Sequence, residues 1–102
     1  FNSTVVDTLG NILAGNLTLE WVQDSIYSSG VSPFNLITFE VVDPADSAVI
    51  GEQAISPGPV AYRSVVIPLT KTTSALISAS AFTMNTYWAD GSLIESKTFY
   101  LP

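Results

Sequence analysis

Neither histidine nor cysteine occurs in this 102-residue chain, and that limits the chemistry it can attempt. Without imidazole or thiolate there is no Ser-His-Asp relay, no cysteine nucleophile, no disulfide and hardly a route to zinc or copper. Carboxylates remain. Glu20, Glu40 and Glu95 are the candidates for the paired acids of glycoside cleavage, which need two carboxyls about 5–10 Å apart across a sugar cleft. Each falls mid-strand on a face that reads as solvated. Asp43, Asp46 and Glu52 could offer oxygens to calcium. Their spacing matches no calcium loop, and aspartates flanking Pro44 read first as turn formers. The expectation is a chain with no catalysis, no metal and no cofactor.

Two asparagines carry the signature of a covalent modification. Asn2-Ser3-Thr4 and Asn16-Leu17-Thr18 are N-glycosylation sequons, although chance sequons are expected in so Ser/Thr-rich a chain. Both asparagines lie on the even face of their segments, opposite Phe1 and Leu17, where a glycan reaches solvent. Trp21, Tyr27, Tyr62, Tyr87, Trp88 and Tyr100 could build a sugar-stacking platform, but packing is the commoner use of such rings.

The length suits one domain. The chain is 47% hydrophobic and 12% charged, with mean hydropathy +0.39, yet no run approaches the ~18 residues of a membrane helix. That surplus fits burial against other copies or a well-packed sandwich; membrane insertion of the mature chain is not expected. Arg63, Lys71 and Lys97 are the basic residues, and the net charge is −6. Nucleic acid, whose binding rests on neutralised phosphates, is excluded as a partner on that ground. Scarce lysine, abundant Ser and Thr, and a start at Phe1 rather than methionine point to an extracellular, cell-surface chain with its signal peptide removed.

The elements that must position these residues are strands. β-branched and aromatic residues recur in short runs between turn residues. Strands are expected at Asn16 to Gln23, Phe34 to Val42, weakly Ser47 to Ile50, Val60 to Leu69, within Ser74 to Trp88, and Ser92 to Leu101. Gly51 is read as part of a loop. Pro68 places the end of its strand at a sheet edge. Asp90-Gly91 predicts a two-residue hairpin. Counting outward from it pairs Trp88 with Leu93, Tyr87 with Ile94, Met84 with Lys97, Phe82 with Phe99 and Ala81 with Tyr100. Both faces of that hairpin carry apolar pairs, as if covered on both sides. With the N-terminal segment this makes an all-β, immunoglobulin-like β-sandwich of about seven strands.

The N-terminal segment FNSTVVDTLGNILAG is the least orthodox part. Its odd positions carry Phe1, Val5, Leu9 and Leu13, interleaved with Ser3, Asp7 and Asn11. Backbone groups in an extended arm need partners. Three readings stand: a strand donated to another molecule, the first strand of the chain's own sandwich, or a helix, since Phe1, Val5, Leu9, Ile12 and Leu13 also fit an i, i+4 pattern. The β-branched cluster and Gly10 weigh against the helix.

The extended FNSTVVDTL, the small Ser/Thr-rich β head, the lack of cysteine and the sequons together resemble subunits of archaeal surface filaments built by donor-strand complementation, most closely the thread filaments of Sulfolobales. The resemblance implies a glycosylated homopolymer in which Phe1 to Leu9 completes the sandwich of the next copy. Gly10 to Gly15 then connects, dividing the chain into a donor and connector (1–15) and a head (16–102). Phe1, Val5, Leu9 and Leu13 would form the donor interface. Type IV pilins are set aside because Asn2, Asp7, Gly10 and Asn11 interrupt the continuous apolar helix they need. The function expected is a structural filament or pilus subunit; the alternative is an immunoglobulin-like or carbohydrate-binding module of a larger secreted protein.

Overall fold

The computed structural model describes residues 2–6, 15–22, 32–43, 47–57, 62–70 and 81–100. They form seven strands: β1 (Ser3–Val5), β2 (Asn16–Val22), β3 (Ile37–Val42), β4 (Val49–Ile55), β5 (Tyr62–Pro68), β6 (Ala81–Trp88) and β7 (Leu93–Tyr100). Two antiparallel sheets result, one ordered β1-β2-β5 and the other β4-β3-β6-β7.

Alternation decides which residues fill the space between them. On the three-stranded sheet Leu17, Leu19, Trp21, Val65 and Ile67 are buried; opposite them lie Ile37, Phe39, Val41, Ile50, Phe82 and Met84. Trp21 and Phe39 meet across the gap with ring centroids 5.0 Å apart. The intervening residues Thr18, Glu20, Thr38 and Glu40 are half-buried on the outer faces.

The expected weak strand proves longer than its sequence suggests, because Gly51 lies inside β4 rather than in a loop. The register slips between Val41 and Val42, so Ile50 and Gly51 are both buried. Gly51 forms an isolated antiparallel bridge with Leu69, and Thr70 donates to the Ile50 carbonyl from its N–H at 2.6 Å and its Oγ1 at 3.0 Å. This closes one side of the sandwich. Pro68 terminates the edge strand β5, where its missing N–H costs no ladder bond.

The two-residue hairpin is corrected to three. Gly91 N–H donates to Trp88 O at 3.0 Å and Trp88 N–H to Ser92 O at 2.9 Å, making Ala89-Asp90-Gly91 the loop. Gly91 takes φ +85°, a left-handed position that suits glycine. Tyr87 therefore pairs with Leu93, not Ile94, but a slip between Thr86 and Tyr87 restores the counted register, and Met84 faces Lys97, Phe82 faces Phe99 and Ala81 faces Tyr100. The bulge turns Ile94 toward the core. The hairpin is not covered on both sides within the chain: Leu93 and Tyr100 are exposed.

Candidate assembly site at the N-terminal strand

β1 pairs antiparallel with β2 of the same chain, Ser3 opposite Trp21, Thr4 opposite Glu20 and Val5 opposite Leu19. Over Ser3–Val5, the structure therefore shows home pairing and not a helix. Ser3 is 2% exposed, Val5 packs against the core, and Asn2, Thr4 and Val6 face solvent. The expected inward phase of the odd positions is thus visible at Ser3 and Val5.

Val6 N–H donates to Thr18 O at 3.1 Å, which puts the even residues in the hydrogen-bonded pairs with β2. In an antiparallel ladder the odd residues then turn their N–H and C=O away from β2. At Ser3 those outward groups meet side chains of β7 instead of another strand. Glu95 Oε2 accepts from Ser3 Oγ at 3.0 Å and from Ser3 N–H at 3.4 Å. Lys97 Nζ donates to Ser3 O at 2.8 Å and to Asn2 Oδ1 at 2.6 Å. The same ammonium lies 2.9 Å from Glu95 Oε1 and 5.6 Å from the Phe99 ring centroid; that ring stacks on Phe82 at 5.7 Å.

Register explains why these charges are there. Thr86 faces Glu95 and Met84 faces Lys97, while Thr86 and Met84 are both buried, so Glu95 and Lys97 point to the inner side of an edge strand. Reading Glu95 on a solvated face was wrong. The Lys97–Met84 pairing obtained by counting already carried the signal, because it put a lysine on the face of a core methionine. Ser3, the residue that answers both charges, reads in the sequence as a polar interruption of the odd-numbered face.

The remaining candidates scatter. Glu20 and Glu40 stand on the outer faces of different sheets, so the glycosidase carboxylates do not converge. Glu52 lies opposite Glu40, and Asn85 Nδ2 donates to Glu40 Oε1 at 3.3 Å. Asp43 is buried just past the end of β3, and Asp46 lies outside the described residues. No three acidic residues group to hold a metal among the described residues, and no helix there is long and apolar enough to cross a membrane. Of the proposed sugar platform, Trp21 is in the core and Trp88 packs edge-on against Phe34. Tyr27 lies outside the described residues. Asn2 and Asn16 are exposed. Phe1, Leu9 and Leu13, the other donor positions, lie outside the described residues, as does most of the connector.

No protein-family model, no curated protein and no solved structure matches the chain.

Proposed function

We propose that this chain is a structural subunit of an extracellular filament or pilus that polymerises head to tail by N-terminal donor-strand complementation. The observation that carries the reading is the weakness of β1 as a home element. It is three residues long, stands at a sheet edge, and among the described residues its outward groups at Ser3 are held by the side chains of Glu95 and Lys97. A cleft that accepts this segment from its own chain presents identical contacts to the same segment of a neighbour, so exchange costs little beyond connector strain. An exchange that does not close on itself produces a fibre. Exposed Val6, Val22 and Val66 lie on the outer face of the same sheet and supply apolar surface for contact between heads. N-linked glycans at Asn2 and Asn16 fit an extracellular setting.

The architecture that supports this function is an immunoglobulin-like topology. Pairing β2 with β5, β3 with β6 and β6 with β7 follows the B–E, C–F and F–G neighbours of that fold, with β4 extending the second sheet as a C′-type strand. Home pairing of Ser3 to Val5 favours one other reading, a self-contained module of a larger secreted protein. Chromatography and negative-stain microscopy separate the two. The intact chain is expected to lengthen with concentration, and deletion of Phe1 to Leu9 to abolish lengthening. An intact chain that stays monomeric at every concentration overturns the filament reading in favour of the module.

A further inference from the structure

We propose that the Glu95–Lys97 pair sets the register at which the β1 cleft of one copy receives Asn2 to Val6 of a second copy; this rests on the filament reading above. A Ser/Thr-rich strand specifies its own register poorly, and a slip of two keeps every side chain on the same face. The cleft supplies what the strand lacks. At the Ser3 position the pair satisfies a hydroxyl, an N–H and a carbonyl together, in a site where serine is 2% exposed. Sliding the arm by two in either direction puts Val5 or Phe1 there, each bulkier and with no hydroxyl for the carboxylate. Sliding it by four brings Asp7, an acid, against Glu95.

Charge on the inner side of an edge strand also blocks indiscriminate pairing. On β7 both signs are present, so the cleft stays closed to a plain apolar strand and open to one carrying serine between apolar neighbours. That selects a second copy of this chain as occupant. The length of chain between Val6 and Gly15 allows the transfer: those eight residues, 7–14, span up to roughly 26–29 Å when extended, against transverse dimensions of 23 and 18 Å for the molecule.

The test uses three full-length chains: the unaltered protein, Ser3→Asp, and Glu95→Lys. Assembly is followed by light scattering after size exclusion, and folding of each monomer by circular dichroism. Each variant alone loses the same contact at home and in the polymer, so its own assembly is expected to stay close to that of the unaltered chain. An equimolar mixture should assemble roughly ten- to hundredfold more strongly than either variant alone, the scale of a charge-assisted hydrogen bond, because only between copies does the aspartate arm meet a lysine cleft and the serine arm an unaltered one. Folded variants whose mixture assembles no more strongly than either alone overturn the register proposal and leave the filament reading intact. An unaltered chain that never assembles overturns the filament reading itself. Should either variant fail to fold, a synthetic peptide of residues 1–9 is added to the unaltered chain: it should suppress assembly about tenfold better than the same peptide carrying Ser3→Ala, and equal potency overturns the proposal.

Discussion

Gly51 and Leu69 face each other in a bridge that seals the side of the sandwich opposite β1. A Cβ on Gly51 would stand 3.0 Å from Leu69 Cδ2, 3.1 Å from Ile67 Cγ2 and 3.1 Å from the Pro68 carbonyl oxygen. Two of those neighbours can shift as side chains, but the third is backbone. Gly51→Ala is therefore expected to destabilise by about 1 kcal/mol and Gly51→Val by about 2–3 kcal/mol, the range for overpacking a filled core. Urea denaturation checks this, with a lower midpoint at an unchanged slope.

Trp21 and Phe39 join the two sheets through their rings, so trimming one loosens the other's surroundings. Phe39→Ala is expected to cost about 3–5 kcal/mol and Phe39→Leu less, near 1.5 kcal/mol. Trp21 is buried while Trp88 is half-buried. Tryptophan emission should accordingly shift to longer wavelength on unfolding, at a lower denaturant concentration in each variant.

What was legible in the sequence divides along a physical line. Period-two alternation is legible in β2 and β3, where Leu17, Leu19 and Trp21, and Ile37, Phe39 and Val41, stand on one face between polar residues and are the residues buried. The far register of the β6–β7 hairpin was legible because a three-residue loop and a bulge offset one another; Asp90-Gly91 alone gave no sign of either. β4 reads short in the sequence because glycine normally weakens a strand; the reason for Gly51, the close approach of Leu69, is a contact between residues distant in sequence. The clasp at Ser3 was hidden for the same reason. Ser3 and Glu95 are joined by the fold, and no local pattern announces a serine buried against a charged pair.

The clasp should behave as a coupled unit. Glu95 and Lys97 are partly buried, with side-chain exposures of 14% and 32%, and each bonds to β1 as well as to the other. Glu95→Ala is expected to cost about 1–3 kcal/mol, the loss of hydrogen bonds to a charged group. Lys97→Ala should cost less, because its ammonium is the better hydrated of the two. The double variant should lose less than the sum, by roughly 0.5 kcal/mol or more, as contacting residues do. Strict additivity in denaturation of the monomer would show that the two act separately.

The loop at Asp90 gives a pH signature whose sign is fixed. Ser92 donates to Asp90 Oδ1 from its hydroxyl at 2.6 Å and from its N–H at 2.9 Å, and these bonds hold the carboxyl below the usual carboxylate range. A group lowered on folding stabilises the native state above its unfolded pKa and loses that contribution as pH falls through the folded value. The advantage of the parent chain over Ser92→Ala should therefore be full at neutral pH and fade below the ordinary aspartate range. Carboxyl NMR titration should find Asp90 lowered in the parent and returned toward the ordinary value in Ser92→Ala. The N–H bond survives that substitution, so the return should be partial. A complete return would assign the whole effect to the hydroxyl, and no return would assign it to the backbone turn.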